Sequence, residues 1–182
     1  LANIRFEAER LDRLVSELNV LTRLDTEILA GQKEKVDYVA CIHEILDRLL
    51  PTFDQPRAAF KLSVPADPLP VMIVPGRIEQ VISNLLENAF RYTPHDGTVE
   101  LAVARDGSSA VITSVRDTGP GIPATIIGKV FDRFFTTERK DVPKDYGSGL
   151  GLAIARSIVE NHQGEIRVES QPGQGACFSF TL

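Results

Sequence analysis

The sequence predicts a chain in two parts: one long helix, followed by a domain of mixed helices and strands. Residues 1–29 contain neither Gly nor Pro and repeat apolar residues every seven positions, which is typical of a single long helix. From Val36 onward, stretches of helical periodicity are separated by short stretches in which apolar and polar residues alternate. The composition, 43% hydrophobic and 25% charged, is that of a globular domain and excludes a disordered chain or a collagen-like repeat.

Charge, hydropathy and cysteine content exclude further classes of protein. With 20 Lys and Arg against 25 Asp and Glu, the net charge of −5 does not suggest a nucleic-acid partner. No apolar run approaches the roughly 20 residues of a membrane-spanning helix, so we expect a soluble chain. Cys41 and Cys177 lie far apart, which disfavours a disulfide framework or a zinc site and fits a reducing cytoplasm. The chain begins at Leu1 without a signal-peptide pattern, so we expect it to be part of a longer protein.

The long N-terminal helix has a narrow apolar seam. In one interpretation, this seam packs on the second part of the same chain. In the other, it pairs with a second chain in a helical bundle. A seam that is both narrow and long favours the bundle. Residues 30–35, which include Gly31 and several charged side chains, are predicted to be a hinge. The residues that repeat at seven-residue intervals are Ile4, Leu11 and Leu18, and Leu14, Leu21 and Ile28.

Turn residues delimit the predicted elements of the second part. The periodicity that follows Val36 ends at Pro51, and Asp106-Gly107 between two alternating stretches predicts a β-hairpin. Between Asp132 and Gly147 the apolar pattern lapses and eight of sixteen residues are charged, which predicts a mobile loop. In chain order, the sequence predicts a helix over 39–49, strands over 60–64 and 71–74, a helix over 76–92, strands over 98–105 and 109–116, a helix over 150–162, and strands over 165–170 and 176–182.

The predicted helix over 76–92 carries an unusual polar face. Asn84, Glu87, Asn88 and Arg91 fall within an arc of roughly 100° on the side opposite its apolar residues. The simpler interpretation is a solvated outer face, but Asn costs roughly 0.5 kcal/mol or more relative to Ala inside a helix. An amide oxygen is a hard neutral ligand for Mg²⁺, and Arg offers planar donors to phosphate. The residues alone leave both interpretations open.

A glycine-rich turn follows the predicted strand over 109–116. In this turn, Asp117 precedes Gly119 and Gly121, which allow backbone to approach a ligand closely. The carboxylate of Asp117 could accept a hydrogen bond from the exocyclic amine of adenine, whereas guanine presents a carbonyl oxygen that a carboxylate would repel. The alternative is a type II turn with an Asp cap and no ligand.

A second glycine-rich segment, residues 147–151, leads directly into the predicted helix over 150–162. Free backbone N–H groups and the helix dipole would converge there on an anion. No strand precedes Gly147, so this is not a dinucleotide-binding fingerprint, and the sequence contains no P-loop motif. A glycine loop alone is weak support for a site.

The order and spacing of these motifs resemble the ATP-binding catalytic domain of sensor histidine kinases, within the superfamily that includes gyrase, the Hsp90 chaperones and MutL. Residues 84–94 resemble the N box, and Gly173-Gln-Gly175 with Phe178 resembles the closing strand signature. The first glycine box corresponds to 117–123, the F box to 131–135 and the second glycine box to 147–152.

The resemblance implies a domain organisation and a fold. It covers residues 36–182 as an ATP-binding catalytic domain, and residues 1–30 look like part of the second helix of a dimerisation and phosphotransfer domain. The implied fold is an α+β two-layer sandwich of the Bergerat type, a mixed sheet with helices on one face, preceded by a long coiled-coil-like helix.

The resemblance also implies roles for single residues. Asn88 would ligate Mg²⁺, with Asn84 as a possible second ligand, and Glu87 would orient or deprotonate the attacking imidazole. Asp117 would hold the adenine amino group, while Phe134 and Phe135 would anchor an ATP lid over 132–146. The residues that would bind ATP are Asn84, Arg91, Tyr92, Asp117, Gly119, Gly121, Phe135, Arg139, Lys140, Gly147, Ser148, Gly149, Leu150 and Gly151.

Two departures from the family pattern stand out. Many members carry an Arg after the F-box aromatic residues, where this chain has Thr136, so lid contacts to phosphate would fall to Arg139 or Lys140 or be weaker. The phosphoacceptor His is also absent. His43 lies in an H-E pair but follows the hinge and lacks the Pro of an acceptor motif, and His95 and His162 are expected to be structural.

The resemblance therefore implies an enzyme: a protein-histidine kinase fragment that binds Mg²⁺ and ATP and passes the γ-phosphoryl group to a His outside this chain. Expected partners are the acceptor domain of the same protein, a response-regulator receiver domain, and a second copy bound through residues 1–29. The expected location is the cytoplasm, either free or as the cytoplasmic part of a membrane-anchored sensor. The alternatives are a nucleotide-binding module without transfer activity and a hydrolytic ATPase of the same superfamily.

Overall fold

The structure is a computed structural model that describes residues 32–53, 58–107, 110–136 and 148–182. The predicted helix over 1–29 and Gly31 of the predicted hinge lie outside the described residues. Most of the predicted lid, including Arg139 and Lys140, lies outside them too, as does Gly147. Among the described residues, no helix is both long and apolar enough to cross a bilayer.

The described residues form seven strands and four α-helices. Their order along the chain is β1 (Glu34–Asp37), α1 (Tyr38–Leu49), β2 (Ala59–Ser63), β3 (Pro70–Ile73), α2 (Pro75–Tyr92), β4 (Thr98–Asp106), β5 (Ala110–Asp117), α3 (Ala124–Ile127), α4 (Gly151–Asn161), β6 (Ile166–Ser170) and β7 (Ala176–Thr181), with a single 3₁₀ turn, Leu50–Thr52, after α1.

Five strands form one mixed sheet in the order β2-β4-β5-β7-β6. Strand β2 runs parallel to β4, and the other neighbours are antiparallel. Alternate residues of the central strands, such as Leu101 and Val115, are buried, while the residues between them are less buried. The buried rows of α2 and α4, including Leu85 and Ile158, belong to the same core as these strand residues. The fold is therefore the predicted two-layer sandwich of a mixed sheet and helices.

Helix α2 follows from simple sequence rules. Pro75 occupies the first turn, where its missing N–H costs nothing and its fixed φ favours the helix. Apolar residues three and four positions apart, among them Val81 and Leu85, are fully buried. The helix ends at Tyr92, and the hydroxyl of the next residue, Thr93, donates to the carbonyl of Ala89 at 2.6 Å. Eighteen residues of regular helix thus carry the polar face at fixed spacing.

Strand β1 was not predicted, because part of it falls in the segment assigned to the hinge. Glu34, Lys35 and Asp37 are exposed, so the strand has no clear alternation of apolar and polar residues. It pairs antiparallel with β3 in a separate two-stranded sheet. One oxygen of Asp37, Oδ1, accepts hydrogen bonds from the backbone of Val39 at 3.1 Å and of Leu69 at 3.0 Å, so this residue both caps α1 and holds the chain before β3.

Candidate functional site

The polar face predicted on α2 is present in the structure. Asn84, Glu87, Asn88 and Arg91 are all half-buried, whereas the apolar side of the helix is fully buried. Within the described part of the chain, the side chains of Asn88 and Arg91 have no hydrogen-bond partner. The amide of Asn88 and the guanidinium of Arg91, half-buried and without a partner among these residues, are available to a ligand.

Asn84 joins α2 to the second glycine segment. Its Nδ2 donates to the carbonyl oxygen of Gly151, the first residue of α4, at 2.9 Å. A Cβ atom on Gly151 would lie 3.4 Å from Oδ1 of Asn84, so the two elements meet closely. Because the amide nitrogen is committed to this bond, the oxygen of Asn84 remains as an acceptor for a cation or a donor group.

Glu87 is held by a residue that the sequence did not single out. The hydroxyl of Ser83, one turn earlier on α2, donates to Oε1 of Glu87 at 3.1 Å. This bond fixes one carboxylate oxygen and leaves the other able to accept a proton or a hydrogen bond. The four-residue spacing was visible in the sequence, but nothing there distinguished this pair from other surface pairs on helices.

Asp117 lies at the carboxyl end of β5 with only 6% of its surface exposed. Its Oδ1 accepts two backbone hydrogen bonds, from Gly119 at 2.8 Å and from Ala176 at 3.3 Å. Burial raises the pKa of this carboxyl group, and the two backbone bonds and Arg116 oppose that rise. Its second oxygen, Oδ2, has no partner among the described residues. A buried carboxylate with one oxygen unsatisfied is suited to accept a hydrogen bond from a ligand.

The glycines beside Asp117 are required by close packing. A Cβ atom on Gly119 would lie 2.8 Å from both Oδ1 of Asp117 and the carbonyl oxygen of Tyr92. Gly121 has a φ of +71°, and a side chain there would overlap the carbonyl of Gln171. Tyr92, itself half-buried, therefore brings the end of α2 against this turn.

The second glycine segment packs against the F-box residues. Gly149 has a φ of +71°, and its carbonyl accepts from the backbone N–H of Phe134 at 2.9 Å. The hydroxyl of Ser148 accepts from the N–H of Leu150 at 3.1 Å, just before α4 begins. Leu150 itself is buried in the core, so any contact that it makes with a ligand comes from its backbone.

The two phenylalanines expected to anchor the lid differ from each other. Phe135 packs against the core, and its role as an anchor of the lid stays a prediction. Phe134 has a φ of 63° and a side chain that is 61% exposed, so its backbone, rather than its ring, contacts the glycine segment. Thr136, which takes the place of the more usual Arg, is exposed.

The three histidines occupy different environments. His43 on α1 and His95 in the turn after α2 are exposed. His162, directly after α4, is half-buried and bonded to the backbone through both ring nitrogens. Among the described residues, no group of three or more His, Cys, Asp or Glu side chains could hold a metal ion.

Together these contacts connect one helix to both glycine segments. Asn84 joins α2 to the start of α4, and the last residue of α2, Tyr92, packs on the turn that follows Asp117. The helix dipole at the start of α4 favours an anion, and amide oxygens favour a hard cation. The buried carboxylate of Asp117 favours an amine. A ligand with an amine at one end, and an anion with a bound hard cation at the other, would fit these groups.

Comparisons with known proteins identify a matching family and related proteins. Residues 73–182 match the family described as histidine kinase-, DNA gyrase B- and HSP90-like ATPase. The chain is 36% identical over 177 residues to the sensor histidine kinase WalK of Bacillus subtilis, covering 97% of this chain and 29% of that protein. It is 34% identical to the adaptive-response sensory kinase SasA of Thermosynechococcus vestitus, covering 98% of this chain and 46% of that protein. The chain thus spans less than half the length of these curated relatives.

Solved structures of histidine kinases are also similar to this chain. The mycobacterial sensor histidine kinase MprB superposes with a TM-score of 0.69 at 28% identity, covering 82% of this chain and 96% of that chain. The full-length ShkA structure in complex with AMPPNP superposes with a TM-score of 0.83 at 26% identity, covering 99% of this chain and 37% of that one.

Proposed function

Because the chain belongs to the histidine kinase-, DNA gyrase B- and HSP90-like ATPase family and carries the ATP-binding catalytic domain of a sensor histidine kinase, we propose that it binds Mg²⁺-ATP and transfers the γ-phosphoryl group to a histidine of the same protein. The observation that carries this proposal is the connection of one amide-bearing helix to both glycine segments, with Asn84 and Tyr92 as the contacts.

Asp117 recognises the base in this proposal. Its free Oδ2 accepts a hydrogen bond from the 6-amino group of adenine, and the backbone bonds to Oδ1 keep the carboxylate in one orientation. Gly119 and Gly121 let the turn after Asp117 pack closely against the rest of the protein, because a side chain at either position would clash with it. Tyr92 lines the pocket. GTP would present a carbonyl oxygen at the same position and would be rejected.

The phosphates lie between the polar face of α2 and the start of α4. Arg91 and backbone N–H groups of the second glycine segment, residues 147–151, bind the phosphate oxygens, while the N–H of Leu150 is bonded to Ser148. Arg139 and Lys140 of the proposed lid add charge from a segment outside the described residues. In phosphoryl transfer the protein contributes mainly positioning and charge neutralisation, which these groups can supply.

The donor set fits a magnesium ion. The oxygen of Asn84 is left as an acceptor by the bond between its nitrogen and Gly151, and the side chain of Asn88 is unpaired among the described residues. Hard, neutral oxygen ligands of this kind suit Mg²⁺, which keeps several waters and phosphate oxygens as its other ligands. When bound, the ion neutralises charge on the phosphates. Asn88 would be the direct ligand, with Asn84 in support.

Glu87 acts on the acceptor. Its carboxylate, fixed through Oε1 by Ser83, orients or deprotonates the imidazole that attacks the γ-phosphoryl group. The acceptor histidine lies on a dimerisation-domain helix outside this chain. We propose that the phosphoryl group then passes to a response-regulator receiver domain, and that the reaction takes place in the cytoplasm.

Replacing Asp117 by Asn tests the base-recognition site. Loss of a charged hydrogen bond costs about 1.5–3 kcal/mol, so ATP should bind about 10- to 100-fold more weakly, as measured by calorimetric titration. Asp106→Asn is the matched control, since Asp106 ends the neighbouring strand β4 in an exposed turn where Asn is equally acceptable. Unchanged ATP affinity in Asp117→Asn would overturn the assignment.

A transfer assay separates the kinase from the two alternatives. The chain is mixed with the separately prepared acceptor domain and labelled ATP. Asn88→Ala should abolish transfer and Glu87→Gln should slow it about 10²- to 10⁴-fold. Asn161→Ala, which removes an exposed amide at the end of α4, should leave the rate unchanged.

Each alternative has its own outcome in that assay. ATP binding without any transfer to histidine would indicate a nucleotide-binding module. Steady release of phosphate in the absence of the acceptor domain would indicate a hydrolytic ATPase. Transfer that persists in both Asn88→Ala and Glu87→Gln would contradict the roles proposed for these two residues.

A further inference from the structure

Ser170, the last residue of β6, joins two backbone segments that are distant in sequence. Its hydroxyl accepts a hydrogen bond from the N–H of Ile122 at 2.8 Å and donates one to the carbonyl oxygen of Gly175 at 2.6 Å. The donor and an acceptor position of the hydroxyl are therefore both used on backbone groups. Ile122 belongs to the turn after Asp117, and Gly175 belongs to the turn between β6 and β7.

These two turns together form the wall behind Asp117. The N–H of Ala176, the residue after Gly175, donates to Oδ1 of Asp117 at 3.3 Å. The N–H of Gly173 donates to the carbonyl of Pro120 at 2.8 Å. Gly175 has a φ of +75° and packs so closely that a side chain there would overlap the backbone carbonyl of Asp117. The position of Ala176 relative to Asp117 thus depends on how the two turns are held together.

We propose that Ser170 is a positioning residue for adenine recognition: by fixing Gly175, it keeps the N–H of Ala176 on Asp117 and so sets the orientation of the carboxylate that accepts the 6-amino group. This inference rests on the proposed function. Both hydrogen bonds of Ser170 are made to the protein backbone, so it acts on the nucleotide only through Asp117.

The physical reason is that a charged hydrogen bond depends strongly on geometry. Without the hydroxyl, the N–H of Ile122 and the carbonyl of Gly175 each lose a partner, and the turn can relax. The bond from Ala176 to Asp117 is already long, so a small shift of the turn is enough to break it. The carboxylate would then keep only the bond from Gly119 and could rotate away from the base.

The test compares ATP with purine riboside triphosphate, which is ATP without the 6-amino group, in calorimetric titrations. Ser170→Ala should bind ATP about 3- to 10-fold more weakly than the wild type, while the affinity for the analogue changes less than about twofold. Ser170→Thr retains the hydroxyl and should restore ATP affinity. Ser179→Ala is the matched control. Ser179 lies on the face of β7 opposite the buried residues Ala176 and Phe178, and it has no side-chain hydrogen bond among the described residues.

Three outcomes overturn the inference: ATP affinity in Ser170→Ala within twofold of the wild type, an equal loss for both nucleotides, or a Ser170→Thr variant as weak as Ser170→Ala. If Ser170→Ala does not fold, Ser170→Cys takes its place, since the thiol fills the same space but is a weak donor and should give the same selective loss.

Asp117→Asn, measured in parallel, separates this inference from the proposed function. If Asp117→Asn and the wild type show the same preference between the two nucleotides, base recognition by Asp117 is refuted, and the role of Ser170 with it. If Asp117→Asn loses the preference for ATP and Ser170→Ala keeps it, only the role of Ser170 is refuted.

Discussion

The contacts of His162 favour a neutral imidazole, although its position at the end of a helix suggests a cation. A histidine at the end of a helix is expected to be stabilised as a cation by the helix dipole. Here Nδ1 bonds to the carbonyl of Ile158 at 2.8 Å, and Nε2 lies 3.1 Å from the N–H of Val74, which donates to it. An imidazole with one nitrogen donating and the other accepting is neutral. It fastens the end of α4 to the residue that precedes α2.

Protonation of His162 should therefore destabilise the fold. Burial lowers its pKa below the ordinary value of 6.5; nearby Lys33 contributes in the same direction, while the bond to Ile158 opposes it. The unfolded chain binds this proton more readily, so the stabilisation is complete above pH 6.5 and is lost as the pH falls toward the lowered pKa. The free energy of unfolding should decrease more steeply below pH 6.5 in the wild type than in His162→Gln.

Chemical denaturation of the two proteins at several pH values between about 7.5 and 5 measures this difference. Both proteins retain His43 and His95, so the comparison isolates the effect of replacing His162. At the upper end, His162→Gln should be less stable by about 1 kcal/mol for each backbone bond that it fails to replace. Parallel curves for the two proteins over the whole pH range would contradict a neutral, buried role for His162.

At the scale of elements, local patterns predicted most of the second part. The apolar period of α2 and the polar face containing Asn84 and Asn88 are properties of a single helix, so sequence spacing alone was sufficient. The hairpin of β4 and β5 followed from Asp106-Gly107. Strand β1 was missed because its pairing with β3 depends on backbone hydrogen bonds between segments some 35 residues apart, which leave no local pattern.

The contacts that assemble the site were not predictable for the same reason. Asn84 bonds to Gly151, 67 positions away, and Ser170 bonds to Ile122, 48 positions away. The buried Tyr38, at the start of α1, bonds through its hydroxyl to Thr113 of β5, 75 positions away. Asn84 and Ser170 bond to backbone groups, and Tyr38 bonds to another side chain, so in each case only the tertiary fold makes the two residues partners. Motif resemblance named the residues that would touch ATP, but not the residues that hold them.

At the scale of the whole molecule, the relation between residues 1–29 and the catalytic domain stays a prediction. The six seam residues recur every seven positions without a helix-breaking residue between them. A single helix in water would leave this apolar seam exposed, so the seam needs a second surface to pack against. A second copy of the same helix offers a seam of matching shape, with Arg10, Arg13 and Glu17 remaining on the outside. We therefore expect the chain to form a dimer.

Light scattering of the full chain tests this expectation. The wild type should have twice the mass of a monomer, and the double variant Leu11→Ser with Leu18→Ser should be monomeric at the same concentration. Each Leu contributes about 1.5–3 kcal/mol when fully buried, so losing four per dimer should weaken association by more than about 10³-fold. Arg13→Ser is the control, since it changes an outer face and should remain dimeric. A monomeric wild type would exclude a dimer through this helix, and a dimeric double variant would place the interface elsewhere.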